Sequence, residues 1–343
     1  MRYKLLGESG LRVSELCLGT MTFGEDWGWG ASQAESTKVF NTYVEAGGNF
    51  IDTANRYTNG TSEKIVGDLI ATDRDYFVLS TKYSLATRDG DPNAAGNHRK
   101  NLVRSLEASL KRLGTDYIDL YWVHAWDFTT PVEAVMQALN DVVRAGKVLH
   151  IGISDTPAWI VSQANTLATL QGWTPFTALQ IEYSLIERTV ERELLPMAQS
   201  LNIGVLAWSP LASGLLSGKY TRSASGDEAR RLDTVALQSQ HKRNLDIAKT
   251  VDVVADEIGR TSAQVALNWM RHQADIIPVI GARKEAHIKD NLGCLDFTLN
   301  TDQLARLNEV SQITLGFPHD FLNSRQESIY GDTLQQIDHH IGA

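Results

Sequence analysis

Short apolar runs alternate with longer amphipathic stretches along most of the chain. Eight short runs have the length and composition of buried strands, and they cover residues 16–19, 49–52, 76–82, 117–124, 148–152, 178–181, 203–207 and 276–280. Apolar residues at helical spacing mark the stretches between them, at 33–46, 62–71, 98–113, 131–146, 155–170, 190–201, 245–258, 262–272 and 284–292. Strands that alternate with helices in this number predict an α/β fold, a (β/α)8 TIM barrel.

Helix start and stop signals support this division of the chain. Leucines at helical spacing fill one face of the segment 98–113, and Gly114 follows as a stop signal. Ser62 stands at the start of the segment 62–71 and is expected to be its N-cap. Asp155 precedes Pro157 and is expected to cap the helix that follows.

Segments outside the repeat extend the predicted barrel. Residues 3–13 predict a β-hairpin with a turn at Glu8-Ser9-Gly10, and an extra helix is expected at 304–310. Long loops are predicted on the C-terminal face of the barrel, at 24–32, 83–97 and 209–243. The tail 311–343 is expected to be irregular. No linker divides the chain, so residues 1–343 are predicted to form a single domain.

The main alternative fold is a doubly wound open sheet that binds a dinucleotide. Gly28-Trp29-Gly30 begins like the phosphate loop of that fold, but Gln33 stands where the third glycine is required. Because this fingerprint is incomplete, the barrel is the better interpretation.

Composition and charge exclude several classes of protein. The 343 residues carry a formal net charge of -9, which argues against binding to nucleic acid or to an anionic membrane. Cys17 and Cys294 are the only cysteines, and they fit neither a metal site nor a disulfide scaffold. Neither a signal peptide nor a transmembrane helix is expected. The sequence predicts a cytoplasmic protein without a membrane partner, and it is compatible with a homo-oligomer.

Reactive side chains follow three successive predicted strands. Asp52, Lys82 and His124 each end a strand, and Tyr57 lies five residues after Asp52. The carboxyl ends of barrel strands form one mouth, so we expect the four side chains to meet there. Each residue alone is more often structural than catalytic, but their coincidence at adjacent strand ends favours a catalytic cluster.

These four side chains suit the transfer of a proton to an oxygen atom. Tyr57 can act as a general acid, and the ammonium of Lys82 is expected to lower its pKa. Asp52 would keep Lys82 charged and oriented, and His124 would position a carbonyl oxygen. No side chain can deliver a hydride, so a cofactor is implied.

Polar residues at the later strand ends predict where that cofactor binds. Ser154 and Gln180 can form hydrogen bonds with a carboxamide, and Trp208 can stack on a planar ring. The backbone N–H groups of the tight loop Trp208-Ser209-Pro210-Leu211-Ala212-Ser213-Gly214 can hold a pyrophosphate. Lys219 can add positive charge beside it.

A second phosphate site is predicted where the last strand meets its helix. Gly281-Ala282-Arg283 leads directly into a helix N-terminus, which favours anions. Arg283 suits a bidentate contact with a phosphate, which favours NADP over NAD.

Together these motifs resemble the aldo-keto reductase family, from residue 5 to about residue 321. The resemblance is carried by Gly10-Leu11-Arg12-Val13-Ser14, Asp52-Thr53-Ala54 with Tyr57, Gly60-Thr61-Ser62-Glu63, the run 113–120, Gly146-Lys147-Val148, Gly152-Ile153-Ser154, Trp208-Ser209-Pro210-Leu211 and Gly281-Ala282-Arg283. It implies a (β/α)8 barrel, the cofactor NADPH and carbonyl reduction. The family's catalytic tetrad carries over to Asp52, Tyr57, Lys82 and His124.

The resemblance also implies contacts along the cofactor. Those at the nicotinamide end are Ser154, Asp155, Gln180 and Trp208. Those along the pyrophosphate are Ser209, Pro210, Leu211, Ser213, Gly214 and Lys219. Those at the adenosine end are Gly281, Arg283, His287, Asp290 and Asn291. Asp155 departs from the family, in which asparagine is frequent at that position, and Trp208, His287 and Asp290 also replace commoner residues.

A small-molecule carbonyl substrate is expected beside Tyr57 and His124. Aromatic side chains near the mouth are expected to favour apolar carbonyl compounds, and they are Phe23, Trp27, Trp29, Tyr83 and Trp126.

Two other functions compete with a reductase. The run 208–220 is similar to that of the potassium-channel β-subunits, which share the fold, bind NADP and serve partly as regulatory partners. An NADP(H)-binding regulatory subunit is therefore the alternative. A metal-dependent hydrolase that uses Asp52, His98, His124 and Asp127 is the weaker hypothesis, because Lys82 would repel a cation in the same cluster. No metal site is expected.

Overall fold

The computed structural model of the protein describes residues 1–222, 242–273 and 275–337. The chain begins with an antiparallel hairpin, formed by β1 (Tyr3–Leu5) and β2 (Arg12–Ser14), as predicted. The hairpin turn closes the bottom of the molecule, where Gly7 has a φ of 52°. A Cβ atom there would lie 2.5 Å from the carbonyl oxygen of Thr177, so only glycine fits.

Eight parallel strands close into a barrel, which confirms the predicted fold. The strands are β3 (Cys17–Gly19), β4 (Phe50–Asp52), β5 (Val78–Tyr83), β6 (Ile118–Val123), β7 (Val148–Ser154), β8 (Phe176–Glu182), β9 (Gly204–Trp208) and β10 (Ile276–Ile280). Neighbours in the chain are neighbours in the barrel, and β10 pairs with β3 to close it.

Helices of the described residues surround the barrel and continue into the C-terminal segment. They are α1 (Gln33–Glu45), α2 (Thr61–Ile70), α3 (Arg99–Leu113), α4 (Val132–Arg144), α5 (Ala158–Gln171), α6 (Leu194–Ser200), α7 (Lys242–Ile258), α8 (Ser262–Arg271), α9 (Glu285–Leu292), α10 (Thr301–Ser311), α11 (His319–Ser324) and α12 (Gln326–Tyr330). In this part of the chain, no helix is long and apolar enough to cross a membrane.

The prediction that the tail is irregular is wrong, because α11, α12 and a 3-10 turn at Gly331–Gln336 occupy most of it. The extra helix expected at 304–310 is α10, and it begins three residues earlier. Asn300 explains this start, because its side chain accepts a hydrogen bond from the backbone of Gln303 and forms a capping box. Within the predicted loop 209–243 and the tail, residues 223–241 and 338–343 lie outside the described residues.

Two predicted helix caps are also wrong. Gly60 is the N-cap of α2, and the buried hydroxyl of Ser62 instead donates to the carbonyl oxygen of Thr20 at 2.7 Å. Pro157 is the N-cap of α5 and makes no side-chain cap. Asp155 stands two residues earlier, with a φ of 43°, at the end of β7. Its side chain has a different role, described below.

Side-chain alternation along the strands separates two apolar layers. One layer fills the barrel and includes Phe50, Val78 and Trp122. The other lies between the strands and the helices and includes Leu79 and Tyr121. Because side chains two residues apart share a face, β4 and β5 direct their last inward positions to the upper end of the barrel.

Trp122 fills the barrel interior below that end. Its register partner on β7 is Gly152, and a Cβ atom at Gly152 would lie 2.3 Å from the indole ring. Gly152 therefore leaves the space that Trp122 occupies, and the ring forms a floor beneath the barrel mouth.

This packing predicts a large loss of stability for the variant Gly152→Ala. The added methyl group overpacks the barrel and should lower the free energy of unfolding by about 1–3 kcal/mol. A matched control is Gly281→Ala, because the nearest atom to a Cβ there is 3.4 Å away. Urea denaturation followed by circular dichroism measures both variants, and equal midpoints would contradict the account.

Candidate active site

Lys82 is the centre of a buried polar cluster at the barrel mouth. Its side chain has no exposed surface, and its ammonium forms an ion pair with the carboxylate of Asp52. The same ammonium donates to the carbonyl oxygen of Thr53 at 2.9 Å and to the hydroxyl of Tyr57 at 3.2 Å. Because an ammonium has three hydrogens, this set of partners satisfies it completely.

The strand ends hold this cluster in place. Asp52 is the last residue of β4, and Lys82 shares with Ser80 the face of β5 that points into the barrel. Ser80 donates to the second carboxylate oxygen of Asp52 at 2.6 Å, so both oxygens of Asp52 are engaged. Sequence reasoning missed Ser80, although the two-residue period of β5 places it beside Lys82.

Tyr57 reaches the cluster from a tight turn rather than from a strand. The turn Tyr57–Gly60 contains two residues with positive φ, Thr58 at 43° and Asn59 at 53°. The hydroxyl of Thr58 donates to the carbonyl oxygen of Phe23 at 2.7 Å, which fixes the turn. Since the hydroxyl of Tyr57 accepts a bond from Lys82, its own hydrogen is available to another acceptor.

The pKa values of this pair follow from burial and charge. Burial lowers the pKa of Lys82, but the carboxylate of Asp52 and the hydroxyl of Tyr57 raise it, and the net shift is upward. Burial raises the pKa of Tyr57, and the Lys82 ammonium only partly offsets this. The expected lowering effect of Lys82 on the Tyr57 pKa is therefore present, but burial outweighs it and the net shift is upward. At neutral pH Lys82 is charged and Tyr57 carries its proton.

His124 lies directly after β6 and completes the set of four. Its ring meets the ring of Tyr57 edge to face, with 5.9 Å between ring centroids. Burial and the charge of Lys82 lower the pKa of His124 to about 3. The imidazole is therefore neutral at physiological pH. Its Nδ1 atom is buried without a hydrogen-bond partner among the described residues.

A pair of buried polar atoms lies at the ends of the next two strands. Ser154 and Gln180 are register partners on β7 and β8, and each is almost fully buried. Within the described part of the chain, neither the Ser154 hydroxyl nor the Gln180 Nε2 atom has a partner at hydrogen-bond geometry, although the Ser154 hydroxyl lies near enough to Asp155 to help lower the pKa of that carboxyl. Unpaired buried polar atoms are costly, so a ligand that satisfies both fits here. A primary carboxamide, such as that of nicotinamide, has the donor and acceptor atoms for this.

Asp155 and Trp208 connect this pair to the rest of the mouth. The indole Nε1 of Trp208 donates to a carboxylate oxygen of Asp155 at 3.1 Å. Partial desolvation raises the pKa of Asp155, while the bond from Trp208 and the charge of Lys82 lower it, and the net shift is upward. The bond holds the indole at the end of β9, where the sequence predicted a stacking surface.

The predicted pyrophosphate loop forms a compact turn after β9. Its residues 212–217 form a 3-10 turn in which Ser213 and Gly214 have positive φ. Three backbone N–H groups, from Ala212, Gly214 and Leu216, donate to carbonyl oxygens within the loop. These three groups are engaged within the loop, and a pyrophosphate contact of the loop stays a prediction that depends on its other N–H groups. The side chain of Lys219 lies close to Gly214.

The residues predicted to contact the adenosine end of the cofactor differ in their positions and in their contacts within the protein. Arg283 follows β10 at the start of α9, and the described residues contain no ion-pair partner for it. Asn291 is buried and donates to the carbonyl oxygen of Gly281 at 3.5 Å, which supports that turn. The carboxylate of Asp290 instead accepts bonds from Thr261 and Gln264 at the start of α8. His287 lies exposed on α9.

Of the aromatic residues predicted to line the substrate pocket, two are buried in the core and the others lie in loops near the mouth. Phe23 and Tyr83 have no exposed surface and belong to the apolar core outside the barrel. Tyr83 is stacked on Tyr121, because it follows Lys82 on β5 and points to the opposite face. Both are therefore wrong as pocket walls in this structure. Trp27 and Trp29 form a ring pair with centroids 5.5 Å apart in the loop after β3.

Trp126 is the remaining member of that aromatic set, and its surroundings connect it to the site. It is partly buried, and its backbone N–H donates to the carbonyl oxygen of Asp155 at 3.5 Å. It therefore lies between the loop after β6 and the loop after β7.

The four residues of the metal-site hypothesis have other roles. Asp52 is paired with Lys82, and the side chain of His98 accepts the cap bond of α3 from Asn101. The carboxylate of Asp127 accepts bonds from Asn97 and from the turn after it. No cluster suited to a metal ion occurs in residues 1–222, 242–273 and 275–337.

A protonated tyrosine, a buried ammonium and a neutral imidazole therefore lie together at the barrel mouth. The family model of the aldo/keto reductases matches residues 15–312, and the chain belongs to that family. It is therefore an oxidoreductase, of a family that acts on small-molecule carbonyl substrates.

Individual relatives are similar over nearly the whole chain. Norsolorinic acid reductase of Aspergillus flavus is 40% identical, over 97% of this chain and 87% of its own length. An aryl-alcohol dehydrogenase of Pestalotiopsis microspora is 37% identical, over 94% of this chain and 85% of its own. The aryl-alcohol dehydrogenase [NADP(+)] of Phanerodontia chrysosporium is 36% identical, over 90% and 86%.

The lowered pKa of His124 predicts that its imidazole does not titrate between pH 5 and 8. His124 takes up a proton near pH 6.5 in the unfolded chain, but only near pH 3 in the folded chain. The folding stability that depends on a neutral His124 is therefore complete above about pH 6.5 and is lost as the pH falls toward 3. Long-range ¹H–¹⁵N spectra of histidine-labelled protein measure the titration, with the His124→Gln variant used for assignment. An inflection for His124 between pH 5 and 8 would contradict the burial argument.

Proposed function

We propose that the protein is an NADPH-dependent reductase that converts aldehydes or ketones to alcohols, with Tyr57 as the general acid. The observation that carries this proposal is the bond from Lys82 to the hydroxyl of Tyr57. It occupies a lone pair of the phenol oxygen and leaves the phenol hydrogen for a substrate. The buried ammonium also favours the phenolate that forms when the proton leaves.

The residues of the tetrad act on the carbonyl oxygen of the substrate. Tyr57 and neutral His124 donate hydrogen bonds to this oxygen and fix its position. Tyr57 gives up its proton as negative charge develops on the oxygen. Lys82 stabilises the resulting phenolate, and Asp52 with Ser80 keeps the ammonium in place. A nicotinamide cofactor, when bound, supplies the hydride.

Cofactor binding is assigned to residues on the other side of the mouth. Ser154 and Gln180 satisfy their unpaired polar atoms by bonding the nicotinamide carboxamide, and Trp208 stacks on the ring. Arg283 binds the phosphate that distinguishes NADPH from NADH. The NADP(+) in the printed name of the Phanerodontia relative supports this preference.

Aromatic carbonyl compounds are the proposed substrates. Trp27 and Trp29 form a partly exposed aromatic pair in the loop after β3, and Trp126 lies in the loop after β6. Flat aromatic side chains at a pocket mouth favour flat apolar ligands. The printed names of two relatives, both aryl-alcohol dehydrogenases, are consistent with this class.

The alternative, an NADP(H)-binding regulatory subunit, rests on the likeness of the run 208–220 to potassium-channel β-subunits. Among the residues that the structure describes, no contact favours it over a reductase. Fast multiple turnover would count against that alternative, since a regulatory sensor does not need it.

Removal of the proton donor should abolish turnover without loss of cofactor binding. For Tyr57→Phe we expect kcat with an aromatic aldehyde to fall by about 100-fold or more, because a general acid supplies that much of the rate. The control is Tyr117→Phe. Tyr117 lies just before β6, at the opposite end of the barrel, and its hydroxyl donates to the carboxylate of Asp75. NADPH oxidation is followed by absorbance, and NADPH binding by fluorescence. Unchanged turnover in Tyr57→Phe would contradict the assignment.

The phosphate contact can be tested by the choice between the two cofactors. Loss of Arg283 in Arg283→Ala should weaken NADPH binding by about tenfold or more and leave NADH binding nearly unchanged. Arg144→Ala, an exposed arginine in the last turn of α4, is the control. Fluorescence titration gives both dissociation constants. An equal loss for the two nucleotides would argue against a phosphate contact at Arg283.

A further inference from the structure

A carboxylate stands at the place proposed for the nicotinamide ring. Asp155 is exposed to the mouth, and its carboxylate accepts the indole N–H of Trp208 at 3.1 Å. The preceding residue is Ser154, which with Gln180 forms the buried polar pair described above. Asp155 therefore lies between the proposed carboxamide contact and the proposed stacking surface.

The charge of Asp155 also reaches the catalytic cluster. It raises the pKa of Tyr57, after the larger effects of burial, Lys82 and Asp52, and Lys82 in turn lowers the pKa of Asp155. A second carboxylate, Glu182, is the register partner of Trp208 on β8. The negative charge on this side of the mouth is therefore concentrated around the indole.

We propose that Asp155 makes the pocket bind the oxidised, positively charged nicotinamide more tightly than the reduced, neutral one. This inference rests on the proposed function, because it needs the nicotinamide ring to lie on Trp208. This role differs from a hydrogen-bond contact with the nicotinamide carboxamide. An ionised carboxylate can only accept hydrogen bonds, so Asp155 cannot donate one to that group.

Two physical effects act in the same direction. A carboxylate attracts a cationic ring by Coulomb energy and has no such attraction for a neutral ring. A cation over an indole face is also attracted to the ring's electrons, and the bond to Asp155 orients Trp208 for this contact. The reduced ring gains from neither effect beyond ordinary stacking.

The consequence for catalysis concerns the charge that appears on the ring during carbonyl reduction. A bound nicotinamide that supplied hydride would gain positive charge on its ring, while the substrate oxygen would gain negative charge. Tyr57 and His124 respond to the negative charge, and Asp155 with Trp208 responds to the positive one. Asp155 is thus expected to assist hydride transfer and to slow release of the oxidised cofactor.

The test compares the affinities of the two redox forms of the cofactor without substrate. Asp155→Asn removes the charge and keeps an oxygen acceptor for the indole. We expect the preference for NADP⁺ over NADPH, expressed as the ratio of their dissociation constants, to fall by about three- to tenfold. Isothermal titration calorimetry with each nucleotide measures the ratio. Glu133→Gln, an exposed carboxylate in the first turn of α4, is the charge control and should leave the ratio unchanged.

A second variant protects the test against a folding defect. Trp208→Phe removes the indole bond but retains an aromatic face, and it should move the ratio in the same direction by a smaller factor. An unchanged ratio in the folded variants, or an equal shift in Glu133→Gln, would overturn the inference. Failure of the wild-type protein to bind either nucleotide would instead overturn the proposed function, so the two failures are distinguishable.

Discussion

The ion pair between Lys82 and Asp52 is the interaction on which the site depends. A buried ammonium is costly unless every one of its hydrogens meets an acceptor. Here the acceptors come from the end of β4, from the residue after it and from the turn that carries Tyr57. The requirement to satisfy one charge therefore fixes three chain segments relative to one another. It also makes the Tyr57 oxygen a hydrogen-bond acceptor, which leaves its hydrogen for another acceptor.

The barrel supplies the rigidity that this arrangement needs. Each strand of the closed sheet is paired on both edges, so the inward positions at the strand ends cannot shift independently. Trp122 fills the space below them and Gly152 gives it room. The polar mouth thus lies on a packed apolar floor, where charges interact more strongly than in water. The turn that carries Tyr57 is anchored by the bond from Thr58 to Phe23, and the loop with Trp126 by the bond from Trp126 to Asp155.

Much of the fold and of the tetrad could be predicted, because both follow from local pattern. The strands are short apolar runs, and Asp52, Lys82 and His124 end three of them, which is enough to bring them together in any barrel. The net pKa of Tyr57 could not be predicted, since it is a difference between burial and the opposing charge of Lys82, and sequence shows neither magnitude. The position of Tyr83 depends on the pleat of β5, which directs it to the face opposite Lys82 and away from the mouth.

The hydrogen-bond partners of individual polar side chains also could not be predicted from the sequence. Asp155 and Ser62 both stand where caps are common, yet each bonds a residue far away in the chain, Trp208 and Thr20. A cap depends on local sequence, but these partners depend on the closure of the barrel. Asp290 shows the same limit, because α8 lies close enough to take up its carboxylate.

The most direct test of the central claim removes both charges of the buried pair together. In the double variant Lys82→Met, Asp52→Asn no charge is left buried without a partner, and the tyrosine keeps its position in the turn. Single-turnover reduction of an aromatic aldehyde by bound NADPH should slow by about 100-fold or more, with NADPH affinity unchanged within a few-fold. A rate close to that of the wild-type protein would contradict the role assigned to the Lys82 ammonium.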